Sequence, residues 1–376
     1  MLLGARTPRL DLATTLLRDY RPESFFLSSP RGVLLADDPG YELASADAAL
    51  AALAVAGPDA VLVGVLPFDR TGPARLGVSA AVRRAEPAGA AGFPRPAALD
   101  GIRWSRGEDN ADGYRAAVSS ALRRMAEGEL DKVVLARSAD LTADRVIPVA
   151  GLLAALAAGD PYAYIYAADL GDRTMVGASP ELLVSQRNGT MVANPLAGSA
   201  PRDPHPGRDG RNATELLRSA KDRREHKVVV DAVADVLGPL CRSLDVPAEP
   251  ELMRTGAMWH LSTRITGTPR DGLTALDLAQ ALHPTPAVCG HPTTLARAVI
   301  GELETVDRGF YSGMVGWTDT RGDGEWALAI RCAEVKGDAL RLFAGAGVVA
   351  ESTADGELAE TEAKFGTLLR ALGVAR

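Results

Sequence analysis

Segments with the composition of β-strands follow one another in runs along this chain. One run covers residues 162–198, where the Asn188-Gly189 pair is a strong signal for a tight hairpin between two strands. A second run covers residues 309–349, close to the end of the chain. Helices are predicted between these runs and around them, and this pattern indicates an α+β fold with largely antiparallel sheets.

Three segments show clear helical signals. Residues 113–130 carry apolar side chains at helical spacing, and an apolar strand is predicted directly after them at 131–141. Residues 213–240 contain no Gly or Pro before Gly238, which predicts one long helix. A final helix is predicted at 357–373.

The composition limits the class of protein. With 376 residues, 47% of them hydrophobic and 24% charged, the chain fits a soluble globular protein of one large or two ordinary domains. A net charge of −7 argues against a nucleic-acid binder, which usually carries a basic surface. No apolar stretch approaches the roughly 20 residues of a membrane span. The first residues lack the pattern of a secretion signal, so we expect a cytoplasmic protein.

Two glutamates near the end of the chain, Glu357 and Glu360, lie three residues apart and share one face of the predicted final helix. Lys364 continues that face, and Gly345 and Gly347 just upstream let the backbone approach a ligand closely. Carboxylates and an ammonium on one side suit a divalent metal with an anionic ligand. The ordinary alternative is a solvated, salt-bridged helix face.

Three further charged residues stand where a chemical role is open to them. Lys132 begins the apolar strand, Glu181 begins a hairpin, and Glu225 lies in a highly charged run on the long helix. Each also has an ordinary interpretation: a strand-end charge, an exposed edge carboxylate and part of a solvated helix face. The local sequence leaves both interpretations open for all three.

Three other features are candidates for binding. The small-residue turn at 195–199 follows a strand, where backbone N–H groups can meet an anion. His260 follows Trp259, a setting more typical of a half-buried histidine than of a catalytic one. Arg331 follows an apolar run, so we expect it to point inward and to need an anionic partner.

Ten motifs occur in one fixed order along the chain, and together they outweigh these separate interpretations. The motifs are DKVVLARS, GASPELL, NPLAGSAPR, KDRREHKVVV, MWHLSTRITG, LHPTPAVCGHP, YSGMVGW, AIRCAEV, LFAGAGVV and GELAETEAK. Through these motifs the chain resembles the chorismate-utilising enzymes, among them anthranilate, aminodeoxychorismate, salicylate and isochorismate synthases.

The resemblance is nearest to the isochorismate synthases of siderophore pathways. It is strong over 110–376 and loose over 1–105. We therefore expect a chorismate-binding catalytic core at 106–376, with 1–105 as a divergent N-terminal part of the same domain.

The resemblance implies one α+β catalytic domain, in which two large antiparallel sheets pack together with helices outside and the active site between them. In isochorismate synthases, water adds at C2 of chorismate while the C4 hydroxyl leaves. Lys132 falls on the family's general base and Glu181 on its general acid. Both roles are needed, because water must lose a proton and the leaving hydroxyl must gain one.

The resemblance also implies a site for Mg²⁺ and for both carboxylates of chorismate. Glu225 and Glu360 fall on the metal ligands and Glu357 on a nearby carboxylate. Hard oxygen ligands without Cys or His favour Mg²⁺ over zinc. The matching substrate-binding positions are Gly198 and Ser199 at the ring carboxylate, Arg331 and Gly345 at the enolpyruvyl carboxylate, Lys364 near the metal, and His260 in a positional role.

Two positions bear on the nucleophile that the resemblance implies. Aminodeoxychorismate synthases typically carry a lysine where this chain has Ala197, and that amine attacks the ring. Anthranilate synthases use ammonia from a glutaminase subunit and lack the base that matches Lys132. We therefore expect water as the nucleophile, isochorismate as the product, and a monomer without a glutaminase subunit. The alternatives are a salicylate synthase, which goes on to eliminate pyruvate, and a catalytically silent chorismate-binding protein.

Overall fold

The structure is a computed structural model that describes residues 12–87, 93, 99–107 and 110–374. Its helices are α1 (Leu12–Asp19), α2 (Ala46–Ala54), α3 (Ala111–Ala126), α4 (Val149–Gly159), α5 (Pro206–Arg218), α6 (Ala220–Leu237), α7 (Ala275–Leu282), α8 (Thr293–Leu303) and α9 (Ala354–Ala371). Its strands are β1 (Phe25–Ser29), β2 (Gly32–Ala36), β3 (Val61–Leu66), β4 (Arg75–Ser79), β5 (Val82–Ala85), β6 (Trp104–Arg106), β7 (Lys132–Ala143), β8 (Tyr164–Asp169), β9 (Thr174–Ser179), β10 (Leu182–Arg187), β11 (Thr190–Ala193), β12 (Leu196–Pro201), β13 (Cys241–Asp245), β14 (Glu251–Arg254), β15 (Met258–Ser262), β16 (Ile265–Pro269), β17 (Gly290–His291), β18 (Met314–Asp319), β19 (Gly324–Leu328), β20 (Cys332–Lys336) and β21 (Ala339–Val348).

The described strands form three sheets, and every strand pair in them is antiparallel. The large sheet has ten strands in the order β17-β7-β21-β20-β9-β8-β1-β2-β5, with β6 also paired to β7. The second sheet has eight, in the order β13-β16-β11-β10-β19-β18-β3-β4. The predicted α+β fold with two large antiparallel sheets is confirmed. A small third sheet, β12-β15-β14, is a feature that the sequence pattern does not predict.

The two larger sheets pack face to face through an apolar layer. Phe25, Tyr166 and Phe343 of the large sheet share one buried cluster with Val63 and Val315 of the second sheet. Helices α1, α4 and α9 pack on the outer face of the large sheet, and α2, α6 and α7 pack on that of the second sheet. Strands from before residue 105 take part in both sheets, so this part of the chain shares the same core.

The predicted helix at 213–240 is wrong as a single element. It is interrupted at Ser219, whose φ of −63° and ψ of 115° are not helical, so α5 ends at Arg218 and α6 begins at Ala220. The Ser219 hydroxyl accepts a hydrogen bond from Asp222 N at 3.2 Å. A serine cap that satisfies a free N–H of the second helix allows the break without Gly or Pro.

Two other local predictions are confirmed. Asn188 and Gly189 have positive φ values of 51° and 76° between β10 and β11, as the tight hairpin requires. The final helix is present and begins earlier than predicted, because the Thr353 side chain accepts a hydrogen bond from Gly356 N and caps it at Ala354. Within the described residues, no helix combines the length and the apolar character needed to cross a membrane.

Candidate active site

Almost all of the predicted site residues line one cavity of about 90 Å³, called the catalytic cavity below. Its walls come from β7 and β21 of the large sheet, β12 and β15 of the small sheet, and helices α6 and α9. Glu357 is the exception, since it does not belong to the lining. The predicted residues that line the cavity are Lys132, Glu181, Gly198, Ser199, Glu225, His260, Arg331, Gly345, Glu360 and Lys364.

Lys132 is buried at the start of β7 and forms an ion pair with Glu225 of α6. Its side chain is 3% exposed, and Nζ lies 2.8 Å from Glu225 Oε1. Gly347 of β21 lies beside this pair: a Cβ at that position would be 2.8 Å from Glu225 Oε1 and 3.1 Å from Lys132 Cε. Because Gly347 has no side chain, the ion pair can occupy this space.

Glu181 stands between β9 and β10 and is 5% exposed. Its Oε1 accepts a hydrogen bond from Leu196 N at 3.2 Å. Burial raises the pKa of Glu181 to about 7, although this hydrogen bond and the nearby cations Lys132 and Arg331 act in the opposite direction. A carboxyl group of this kind is partly protonated at neutral pH, as a general acid must be.

The pKa values of Glu357 and Glu360 on α9 are shifted in opposite directions. Burial acts to raise the pKa of Glu360, but the charge and hydrogen bond of Lys364 together with the charges of Arg331 and Lys221 outweigh it, and the net pKa lies below the ordinary value. Lys364 Nζ lies 2.7 Å from Glu360 Oε1 and donates to Gly345 O at 2.8 Å. Burial, followed by the charge of Glu360, raises the pKa of Glu357 to about 7. The shared helix face predicted from the sequence thus places the two carboxylates near one another.

The carboxylates fit a divalent cation without forming a closed cage for it. Within the part of the chain that the structure describes, no group of three or more His, Cys, Asp or Glu side chains could hold a metal ion by itself. Glu225 and Glu360 line the same cavity, and buried Oε2 of Glu357 has no hydrogen-bond partner. Oxygen donors of this kind suit Mg²⁺. The donor set therefore fits an Mg²⁺ ion that takes further ligands from a bound anion.

Arg331 connects the two larger sheets, because β19 belongs to the second sheet and β20 to the large sheet. Its φ is 50°, a conformation that non-glycine residues seldom adopt. The side chain is buried, and burial lowers its pKa. Among the described residues its guanidinium group makes no hydrogen bond and no ion pair. The inward orientation predicted from the sequence is confirmed, and the missing anionic partner fits a ligand carboxylate.

The segment 195–199, predicted as a turn, lies largely in β12 and contains a β-bulge. The pairing of β12 with β15 shifts register between Ala197 and Ser199. Gly198 at the bulge has a φ of 77°, and a Cβ there would lie 3.0 Å from Asp222 Cβ. Only glycine meets both the positive φ and the close approach of α6.

His226 fixes this bulge from α6. Its Nδ1 lies 3.2 Å from Ala197 O and its Nε2 lies 2.7 Å from Thr263 Oγ1. A carbonyl can only accept, so Nδ1 carries the proton and Nε2 accepts from the Thr263 hydroxyl. Burial lowers the pKa of His226 to about 4, which agrees with a neutral ring. The residue after Glu225 thus holds the turn that carries Gly198.

His260 and Gly345 complete the walls. His260 pairs with Ser199 across the small sheet, and burial lowers its pKa well below the ordinary value, so its ring is neutral. A Cβ at Gly345 would lie 2.8 Å from the hydroxyl of Tyr311. The Tyr311 ring stacks on Phe343 with 5.3 Å between centroids and 13° between planes. Gly345 therefore leaves room for a tyrosine that also lines the cavity.

The residue-by-residue prediction misses five polar groups of the site. Four of them line the catalytic cavity, namely Lys221, Asp222, Tyr311 and Ser312, and His226 holds the bulge beside it. Asp222 and His226 stand three residues before and one residue after Glu225 on α6, so helical spacing around Glu225 is the signal that could have found them. Tyr311 lies within the quoted motif YSGMVGW but has no local feature that marks it as polar lining.

The comparisons with known proteins agree with this site. Residues 91–373 match the profile of the family described as chorismate binding enzyme. The chain is 46% identical over 384 residues to isochorismate synthase DhbC of Bacillus subtilis (strain 168), with 96% of each chain covered. It is 41% identical over 317 residues to the vibriobactin-specific isochorismate synthase of Vibrio cholerae serotype O1 (strain ATCC 39315 / El Tor Inaba N16961), with 84% of this chain and 80% of that protein covered.

A solved structure extends the agreement to three dimensions. DhbC from Bacillus anthracis, provisionally assigned as a 2,3-dihydroxybenzoate-specific isochorismate synthase, matches with a TM-score of 0.89 and 42% identity. The match covers 96% of this chain and 100% of that one. The family that the ten motifs predict is therefore confirmed, and this chain belongs to the chorismate-binding enzymes.

Proposed function

We propose that this protein is an isochorismate synthase, which interconverts chorismate and isochorismate. One observation carries the proposal: a single cavity presents Glu181, with a pKa of about 7, together with the amine of Lys132 and the guanidinium of Arg331. These are an acid, a candidate base and a carboxylate anchor. Relatives at 46% and 41% identity that are named isochorismate synthases support the same reaction.

The acid and the base account for the protons of the reaction. The oxygen of one water molecule adds at C2 and the C4 hydroxyl leaves as another water molecule. Lys132 takes one proton from the attacking water, and Glu181 donates one proton to the leaving hydroxyl. The reverse reaction exchanges the two roles. The Lys132 ammonium, which pairs with Glu225 in this structure, must first release a proton to solvent, because an ammonium has no lone pair with which to accept one.

The substrate carboxylates are assigned to the two ends of the cavity. The buried Arg331 guanidinium would hold the enolpyruvyl carboxylate, since it has no protein anion to neutralise it among the described residues and a guanidinium binds a carboxylate through two N–H groups. The bulge at Gly198 and Ser199 would receive the ring carboxylate through its backbone N–H groups. The ring would then lie between Lys132 and Glu181.

Mg²⁺ is part of the proposal. Glu225 and Glu360, with Glu357 beside them, would hold the ion, and Mg²⁺ would supply the positive charge that binds the ring carboxylate. Glu225 is neutralised by Lys132 in this structure. Its use as a metal ligand would therefore also release the lysine for proton transfer.

The relatives suggest the use of the product. The Bacillus anthracis protein is named for 2,3-dihydroxybenzoate and the Vibrio cholerae protein for vibriobactin. We propose on this basis that the isochorismate made here supplies a siderophore pathway. We also propose that the protein works in the cytoplasm as a monomer and without a glutaminase subunit.

Product analysis tests the proposal. Purified protein is incubated with chorismate and Mg²⁺ near neutral pH, with and without ammonium, and the mixture is separated by chromatography. Isochorismate that forms independently of ammonium is expected, with Glu181→Gln as the inactive control. Salicylate with stoichiometric pyruvate would reassign the protein to the salicylate synthases. An aminated product would overturn the water mechanism, and chorismate binding without any product would indicate a silent binding protein.

A further inference from the structure

A second cavity adjoins the catalytic cavity at Arg331. It has a volume of about 530 Å³, compared with about 90 Å³ for the catalytic cavity, and is called the outer cavity below. Pro180 and Arg331 line both cavities. Pockets that hold small ligands typically measure ~300–1,000 Å³. The outer cavity reaches that size in this structure and the catalytic cavity does not.

The charges around the outer cavity favour an anion. Buried Arg331 lies where this cavity joins the catalytic cavity. Asp160, at the end of α4, is the one carboxylate in the described lining, and its Oδ2 accepts a hydrogen bond from Gly256 N at 3.0 Å. Because Arg331 has no anionic partner among the described residues, its guanidinium attracts a dianion more strongly than a neutral molecule.

The outer wall of this cavity is the turn at 255–257, between β14 and β15. On the α4 side the turn is held by the hydrogen bond from Gly256 N to Asp160, and Gly256 itself is exposed. The same hairpin continues into His260, which pairs with Ser199 in the catalytic cavity. A small movement of the turn would therefore widen the outer cavity. Strand β15 would transmit the same movement to His260 in the site.

We infer that the outer cavity is the passage through which the dicarboxylate substrate reaches and leaves the catalytic cavity, with the turn at 255–257 as its movable outer wall. This inference rests on the proposed function, because it takes chorismate as the substrate. The first carboxylate meets Arg331 where the two cavities join.

The test measures the rates of binding, since a passage affects rates and not affinity. Chorismate is mixed with Mg²⁺ and protein in a stopped-flow instrument, and intrinsic tryptophan fluorescence gives kon and koff. All variants carry Glu181→Gln, so that the substrate is not turned over. Ala257→Phe and Thr367→Phe narrow the outer cavity from two different walls. Ala51→Phe adds the same bulk on the exposed face of α2, outside the lining of both cavities, and is the matched control.

Both outer-cavity variants should lower kon and koff by the same factor, about tenfold or more, and leave Kd unchanged. A narrowed route slows traffic equally in both directions without altering the free or the bound state. Ala51→Phe should keep the parent rates, and thermal unfolding checks that all variants are folded.

Three results would overturn the inference. Parent rates in Ala257→Phe and Thr367→Phe would show that the substrate does not pass between these walls. Rates in Ala51→Phe that fall by the same factor would show that the slowing does not come from narrowing the outer cavity. A higher Kd with unchanged kon would make the outer cavity part of the bound state. If the Glu181→Gln parent failed to bind chorismate at all, the proposed function itself would fall.

Discussion

Replacement of Gly347 by alanine tests the Lys132–Glu225 pair without removing a charge or a hydrogen-bonding group. The added Cβ would lie 2.8 Å from Glu225 Oε1 and 3.1 Å from Lys132 Cε, and Cβ atoms essentially never lie within 3.0 Å of another heavy atom. Gly347 is a strand residue of β21 and is not among the glycines with positive φ, so alanine fits its backbone. The new methyl group must therefore displace the two charged side chains.

The expected cost to stability is small and the expected cost to activity is large. Overpacking of this kind costs ~1–3 kcal/mol, within the ~5–15 kcal/mol that stabilises a typical domain. A catalytic group displaced by about 1 Å can lose about 10²-fold in rate. Gly347→Ala should thus remain folded, with a slightly lower thermal midpoint, while kcat for isochorismate formation falls by about 10²-fold.

The matched control is Gly301→Ala in α8, where an added Cβ has no neighbouring atom within 4 Å. Alanine in a helix interior is favoured over glycine by ~1 kcal/mol, so this variant should keep wild-type kcat and unfold at a slightly higher temperature. Wild-type kcat in Gly347→Ala would refute the argument that the close Lys132–Glu225 contact positions the base.

Three further perturbations have defined outcomes. Glu181→Gln should lower kcat by about 10²–10⁴ with chorismate binding retained. In the wild type, kcat should fall as pH rises through about 7, because the acid is protonated only below its pKa. A flat pH–rate profile would contradict this role. Mg²⁺ should restore the activity of wild-type enzyme that has been treated with chelator, whereas Glu360→Ala should stay folded and show no such increase with Mg²⁺. Full activity of the wild type in excess chelator would refute the metal site. His226→Ala should raise KM more than it lowers kcat, and His226→Asn, which can still donate to Ala197 O, should restore most of the loss; equal KM values in all three proteins would exclude a positioning role.

Local signals account for what the sequence predicts correctly. The Asn188-Gly189 hairpin and the helix that carries Glu357 and Glu360 depend on residues close together in the chain. The predicted site residues are those on which the family's motifs fall, and all of them except Glu357 line one cavity. A motif assigns a position but does not say which way its side chain lies, so the motif alone does not predict that Glu357 lies outside the cavity lining.

The remaining features depend on contacts between distant segments. Ser219 interrupts a helical pattern because its side chain caps α6, although the same residue is tolerated inside many helices. The crossing of the chain from one sheet to the other at Arg331 follows from how the sheets pack, and no local pattern marks it. The small sheet arises where β12 meets β15, about sixty residues later in the chain, to form the bulge at Gly198.

The bulge has a consequence for how such enzymes diversify. His226 holds it through the carbonyl oxygen of residue 197, an atom that every amino acid supplies. Residue 197 also lines the catalytic cavity, so its side chain can vary while the backbone stays anchored. Aminodeoxychorismate synthases typically carry lysine at the position of Ala197, where the amine attacks the ring. A single replacement at position 197 can thus place a new nucleophile in the cavity while the rest of the site is unchanged. Because His226 still holds the backbone of residue 197, the turn does not have to change as well.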